Sequence, residues 1–171
     1  NTTNFLNNKF ILDTSANYII QNDKNMVSQG QYFNPLTSLY LFPRGEDFSD
    51  VAVYERYDDL SGVNTQYWPY GDLGGVSSQN PYWIMNRMNR ENDRRRYKLA
   101  ASLQYNIIEG LNVQGRVSID NTESKYTEKF HAGTVGNFAG PKGRYKEENR
   151  LDRQVYADVL ANFNKTFNEF N

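Results

Sequence analysis

Tyr97-Lys98-Leu99-Ala100-Ala101-Ser102-Leu103-Gln104-Tyr105-Asn106-Ile107 decides the fold. Its odd positions are Tyr97, Leu99, Ala101, Leu103, Tyr105 and Ile107; its even ones are Lys98, Ala100, Ser102, Gln104 and Asn106. A pleated strand turns that period of two into one apolar and one polar face. After the turn Ile108-Glu109-Gly110 the pattern resumes, with Leu111, Val113, Gly115, Val117 and Ile119 against Asn112, Gln114, Arg116, Ser118 and Asp120. Two alternating runs across so short a connection read as an antiparallel hairpin.

Working outward, Val155, Ala157, Val159, Ala161, Phe163 and Phe167 alternate with Tyr156, Asp158, Leu160, Asn162 and Asn164, and Asn168 to Asn171 reads as a further tight turn. Near the start, Phe10, Leu12, Thr14, Ala16, Tyr18 and Ile20 form a fourth apolar side, blurred by Ile11 and Ile19. The expected strands are therefore about residues 8–21, 94–107, 111–126 and 152–167. They are joined by a long loop over about 22–93, a tight turn, and a second loop over about 129–148. A loop as long as the first argues against an ordinary compact domain. In an outer-membrane barrel, long extracellular loops and tight periplasmic turns alternate in this way. Tyr97 and Tyr105 share a face eight positions apart. At about 3.3 Å per residue and a tilt near 40° they stand roughly 20 Å apart in height, close to the apolar band of such a barrel. Together with Tyr18, Phe163 and Phe167 they resemble pieces of two aromatic girdles. Periodicity alone leaves open whether the apolar side meets lipid or a second protein layer.

Composition narrows the function. The chain has 171 residues, 19 Lys+Arg against 20 Asp+Glu, one His, no Cys and 15% aromatic residues. A net charge of -1 lacks the electrostatic footprint of a nucleic-acid binder. The absence of Cys excludes disulfides, thiolate nucleophiles and Cys-based zinc sites. No apolar run is long enough for a membrane-spanning helix, a test that β-strands never meet. Aromatic content this high argues against disorder, and the abundance of Asn and Tyr suggests little helix. The chain opens at Asn1 without a signal peptide, so either a leader was removed or the segment comes from inside a longer protein.

Motifs for chemistry are few. His131, in the Gly- and Thr-rich loop Lys129 to Gly140, has no companions for a metal site or a triad. Glu46, Asp47, Asp50, Glu55, Asp58 and Asp59 lack EF-hand spacing and read as a solvated acidic loop. The glycines at Gly74-Gly75, Gly136, Gly140 and Gly143 form no phosphate-cradling motif. No catalytic residue, cofactor or metal is expected. The charge run Arg90 to Lys98 suits a strand end, where its cations pair with anionic groups of the outer leaflet or with the acidic loop, or are simply solvated. The rings of the long loop are the candidate contacts to substrate or partner: Tyr40, Phe42, Trp68, Tyr70, Tyr82 and Trp83. Such rings stack on sugar faces or dock proteins, or else pack the loop onto itself.

Several stretches carry a resemblance. Gly30-Gln31-Tyr32-Phe33-Asn34-Pro35-Leu36, Leu39-Tyr40-Leu41-Phe42-Pro43-Arg44-Gly45 and Gln79-Asn80-Pro81-Tyr82-Trp83 are three of them, the last followed by Asn86 and the run Asn89 to Arg96. The hairpin from Gly110 to Val117 and the segment Tyr156 to Lys165 belong with them. In this order they resemble SusC/RagA-type TonB-dependent outer-membrane transporters. That resemblance implies an antiparallel transmembrane β-barrel of 22 strands, of which this all-β chain holds about four, with long extracellular loops. It implies a Gram-negative outer membrane, a SusD-like surface lipoprotein as lid, energy from the TonB complex through a missing N-terminal part, and an oligosaccharide or peptide as cargo. Gln104, Gln114, Arg116, Asp120 and Asp158 then face the lumen and its plug. A fragment of this kind keeps unpaired edges and is not expected to work alone. The rival reading is a secreted or surface β-sandwich that binds carbohydrate through loop aromatics. A loop-based glycosidase is a distant third.

Overall fold

A computed structural model describes residues 1–27, 29–30, 32–70 and 78–165. Gln31, Gly74-Gly75, Phe167 and the turn expected at Asn168 to Asn171 lie outside the described residues. The fold is mostly antiparallel β. Among the described residues there are seven strands: β1 (Thr2–Phe5), β2 (Phe10–Lys24), β3 (Glu55–Asp58), β4 (Val63–Gln66), β5 (Met88–Ile108), β6 (Leu111–Phe130) and β7 (Arg144–Phe163). Two short helices, α1 (Pro35–Tyr40) and α2 (Pro81–Arg87), and a 3-10 turn at Phe48–Ala52 fall between β2 and β5. A five-stranded sheet has the order β1-β2-β5-β6-β7, and β3 pairs with β4 separately.

The strands are longer than periodicity indicates. β5 begins at Met88, six residues before the expected strand start at 94, and β6 continues to Phe130. β7 starts at Arg144, inside the expected second loop, and β1 adds an unforeseen short strand paired Thr2 to Asp13 through Phe5 to Phe10. The extensions are charged on both sides, so hydrophobic alternation is blind to them. The expected loop over 22–93 likewise contains both helices, the β3–β4 hairpin and the start of β5. The alternation of connections nevertheless holds: Leu6 to Lys9, then residues 25–87, then Glu109-Gly110, then residues 131–143.

The chain divides into two compact units. The sheet unit comprises residues 1–21, 94–124 and 150–171, and the loop unit comprises 22–93 and 125–149. In the sheet unit, Asn106 N–H donates to the Lys9 carbonyl at 2.8 Å, and the rings of Phe10 and Tyr105 stack with centroids 4.7 Å apart. The same register carried along both strands sets Tyr18 beside Tyr97. Phe10, Leu12 and Ala16 thus share the side of Leu99, Leu103, Val117, Val155 and Val159. Among the described residues of this unit, no second layer covers that side: Tyr18, Ile20, Leu99, Leu103, Val117, Val155, Val159 and Phe163 are all exposed. The Glu109-Gly110 turn is closed by Gly110 at φ 78°. A Cβ there would come within 2.0 Å of the Asn164 carbonyl oxygen, so the position requires glycine.

The loop unit has its own core. Trp83, Ile84, Met88, Phe130 and Ala139 are buried together, with Phe33, Tyr54 and Phe138 packed against them. The two helices start by one rule. Asn34 and Asn80 cap them, accepting from the Leu36 and Tyr82 amides at 3.0 and 2.9 Å, and Pro35 and Pro81 fill the first turn, where no amide donor is needed.

Candidate functional site

The polar side of the sheet unit brings the expected lumen-facing residues together. Arg116 spans from β6 to β7, its Nε 2.8 Å from Asp158 Oδ1 and its second nitrogen bonded to Oδ2. Tyr156 donates its hydroxyl to the same Asp158 carboxylate. Arg96 on β5 makes a two-pronged contact with Asp120 on β6, at 2.8 and 2.5 Å. Gln104 Nε2 donates to Asn106 Oδ1 at 2.9 Å, and Gln114 Nε2 reaches Ser102 Oγ at 3.4 Å. Asn162 Nδ2 bonds Asn112 Oδ1 at 3.1 Å, again joining β7 to β6. Gln114, Arg116, Asp120 and Asp158 therefore make cross-strand polar contacts on a single face, and Gln104 bonds along its own strand on that face. Bidentate guanidinium–carboxylate pairs fix geometry as well as charge, which suits a wall that must keep its register while presenting polar groups.

The loop aromatics separate into three environments. Trp83 is wholly buried, and its indole N–H donates to Thr134 Oγ1 at 3.1 Å. It is a core residue with no surface for a substrate or partner, which corrects its placement among the contact rings. The physical reason lies in its helix: α2 turns Pro81, Trp83 and Ile84 inward. Phe42, Trp68 and Tyr70 cluster with Phe48. Phe42 meets Phe48 and Tyr70 edge-on at 5.7 and 5.2 Å, and Trp68 meets Tyr70 at 5.2 Å. These rings chiefly pack the loop onto itself. Tyr40 is 88% exposed, and Tyr82, stacked on Tyr54 at 6.3 Å, keeps part of its ring in solvent. Tyr40 and Tyr82 are thus the contact candidates with free surface.

What holds the loop in shape is polar and was missed by motif reading. Asn80 is buried, and its Nδ2 donates to the carbonyls of Val51 and Tyr67 at 2.9 and 3.2 Å. Its amide donates to Gln66 Oε1 at 2.8 Å. Gln79 is also buried and donates from Nε2 to the Tyr32 carbonyl at 2.8 Å. Ser78 Oγ accepts from the Trp68 indole at 2.9 Å and lies 3.2 Å from the Tyr70 carbonyl. Three consecutive side chains thus satisfy four backbone carbonyls from three other segments, as irregular backbone requires when it is buried. Asn25 plays the same part at the base of the loop, donating to the Met85 carbonyl at 2.9 Å and accepting from the Arg90 amide at 2.8 Å. The Asn80-Pro81 pair is the sequence signal that would have found this knot.

Electrostatically, Arg87 grips Glu55 with two bonds of 2.8 and 2.9 Å. The guanidinium holds the Glu55 carboxyl below the usual carboxylate range. Tyr126 donates its hydroxyl to Glu128 Oε1 at 2.8 Å. The residues 131–143 close on the β3–β4 hairpin at Gly133, whose carbonyl accepts from the Gln66 amide at 3.3 Å. A Cβ at Gly133 would come within 2.6 Å of the Thr65 Cα. Among the described residues no three His, Asp or Glu side chains converge on a metal-binding arrangement. His131 sits in the loop next to this closure, its amide donating to the Arg87 carbonyl at 3.0 Å. The chain matches no protein-family model and no curated protein.

Proposed function

We propose that this chain builds part of the wall of an outer-membrane β-barrel of the SusC/RagA type. In this reading it imports glycans or peptides with a SusD-like lipoprotein lid and energy relayed by TonB. One observation carries the membrane part of the reading: the sheet unit has a broad apolar side over which no protein layer lies among the described residues, backed by a polar side stapled by ion pairs. Water is a poor solvent for that side, and a patch spanning four strands exceeds what a monomeric soluble protein ordinarily exposes. The run Tyr97 to Ile107 supplies 11 alternating positions, or roughly 25 Å of height at a tilt near 40°, which is the depth of the apolar band of an outer-membrane barrel. Phe10 and Tyr105 mark one margin of the band, and Tyr18 and Tyr97 the other. The alternation of tight turns and long connections supports the same reading. The transport cargo and the lid are taken from the sequence resemblance, and Tyr40 and Tyr82, which keep exposed surface, are the rings assigned to meet them. No enzymatic step is proposed.

The chain has no cysteine, so one introduced thiol labels one place in it. Spin labels at Val117→Cys and Val159→Cys on the apolar side, and at Ser102→Cys and Ser118→Cys on the polar side, should be read in isolated outer membranes. The first pair is expected to collide with oxygen and be shielded from a water-soluble nickel complex, and the second pair to behave oppositely. If the first pair were shielded from both relaxants, a second protein layer would cover the face, and the β-sandwich reading would replace this one.

A further inference from the structure

On the polar side of the sheet unit, a run of small side chains leaves a depression of about 380 Å³, the size of a small ligand site. Ser15 on β2, Ala100 and Ser102 on β5 and Ser118 on β6 form its floor, and the ring of Tyr156 on β7 stands at one side. The register that stacks Phe10 on Tyr105 sets Ser15 beside Ala100 and Asp13 beside Ser102. The charges around the depression are separated by sign. Arg96 and Asp120 neutralise each other, as do Arg116 and Asp158, and Arg150 is paired with Asp152 elsewhere on β7. What remains at the depression is Asp13 at one end and Lys98 at the other, neither of them in an ion pair among the described residues. Asp13 accepts from the Thr2 hydroxyl, and the Asn1 amino group is bonded within the ladder to the Thr14 carbonyl at 2.8 Å. Lys9 and Arg94 share the parity of this side but stand four residues farther out, one toward each rim. That is about 13 Å along a strand, beyond the screening length of about 8 Å at physiological salt. The Ser15 and Ser118 hydroxyls carry no hydrogen bond among the described residues, and Ser102 accepts from Gln114 at 3.4 Å.

We propose that this depression binds a short peptide by its two free termini, with Asp13 taking the α-ammonium, Lys98 the α-carboxylate and the serine hydroxyls the amides between them. The inference rests on the import reading and narrows its cargo to peptide. Asp13 stands level with Ser102, four positions from Lys98 on β5, or about 13 Å at 3.3 Å per residue. Three extended residues span about 10 Å, and an ionic hydrogen bond of about 2.8 Å at an end fills the rest. Ala100 leaves room for a peptide backbone to approach. Each hydroxyl both donates and accepts, as the alternating N–H and C=O groups of a peptide require. A neutral sugar leaves both charges unanswered, and the one ring beside it, Tyr156, has its hydroxyl bonded to Asp158.

The test uses the protein purified from outer membranes in detergent, with calorimetric titration of trialanine, N-acetyltrialanine, trialanine amide and maltotriose. Wild type should bind trialanine best, and blocking either terminus should weaken binding about fivefold, as one exposed ion pair allows. Asp13→Asn should weaken trialanine by the same factor and leave N-acetyltrialanine unaffected. Lys98→Gln should weaken trialanine likewise and leave the amide unaffected. Such matching of one variant to one blocked terminus is not produced by a folding defect. Ser118→Tyr, which fills the floor, should abolish binding of all three peptides. Equal binding of free and blocked peptides, losses that do not discriminate between the blocked forms, or no peptide binding at all overturns the proposal. Maltotriose bound more tightly than trialanine would give the site to a glycan and leave the import reading standing. The relaxation test at Val117 and Val159 decides the membrane reading separately, so lipid exposure there with failure here removes this inference alone.

Discussion

Trp83 in the loop unit exposes none of its surface, whereas Val159 in the sheet unit exposes 74% of its own. The contrast is general: every buried apolar side chain among the described residues, from Val51 to Ala139, belongs to the loop unit. The strands with the cleanest hydrophobic alternation are thus the ones with no core, and the segment that looks like polar loop is the one that has a core. Alternation records which side of a strand must leave water, and it is silent on what receives that side. A long connection can supply its own apolar interior from scattered rings, provided buried amides such as Asn80 and Gln79 satisfy its irregular backbone.

If the loop unit is an independent packed body, truncating its centre should cost most. Trp83→Ala removes the largest wholly buried side chain and leaves Thr134 without its indole donor, so a loss of about 3 to 5 kcal/mol is expected. The change should appear as new proteolytic cleavage within residues 22–93, with the sheet unit still resistant. Cleavage spreading equally through residues 94–124 would show that the two units unfold together and would dissolve the distinction.

The sheet unit is broken from the other direction. Val117→Arg puts a cation on the exposed apolar side, and on the proposed membrane reading that costs roughly 2 to 4 kcal/mol. Ser118→Arg, one residue on and facing the polar ladder, should cost little. Urea unfolding from lipid vesicles measures both. Equal, small effects would mean that the apolar side faces water.

The sequence displayed the sheet unit almost fully, because a period of two needs no tertiary context to be seen. Phe10 to Ile20, Tyr97 to Ile107, Leu111 to Ile119 and Val155 to Phe163 all lie on strands, each with its apolar set on one side. Beyond these runs periodicity stops informing: Met88 to Arg96 and Glu123 to Phe130 are strand held by cross-strand charges such as Arg96–Asp120 and Lys129–Glu91. The helices were legible in principle, since Asn34-Pro35 and Asn80-Pro81 are each a cap followed by a first-turn proline. Their few residues give too little helical periodicity to stand out. Trp83 and Tyr82 adjoin in sequence and end in opposite environments, which only the helical turn of α2 separates. The polar ladder was readable because Arg116 and Asp158 fall on the non-apolar parity of their strands. That they meet depends on the pairing of β6 with β7.

A smaller effect probes the rim where tight turns close the sheet unit. Gly110→Ala forces a side chain onto a left-handed backbone, about 1 to 3 kcal/mol of strain. It also drives a Cβ against the Asn164 carbonyl. The Asn164 amide, which donates to the Gly110 carbonyl at 2.6 Å, should lose hydrogen-exchange protection while Trp83 fluorescence stays unchanged. A concerted change in both probes would again argue for a single cooperative body.

The mildest test concerns the Arg87–Glu55 pair of the loop unit. Because Arg87 depresses the Glu55 carboxyl in the folded state, the unfolded chain binds that proton more readily. The pair's contribution is therefore complete above the ordinary carboxylate pKa, and it is lost as pH falls through the depressed folded value. Arg87→Gln should lower stability at neutral pH by roughly 1 kcal/mol and flatten its decline below about pH 4.5, near the unperturbed glutamate pKa. Since both residues lie within the loop unit, the flattening should follow Trp83 fluorescence and leave the acid limb of the sheet unit unmoved. An acid limb as steep in the variant as in wild type would assign the loop unit's acid sensitivity to other carboxylates. Asp58 and Glu147 are the next to examine, as hydrogen bonds hold each below its ordinary range.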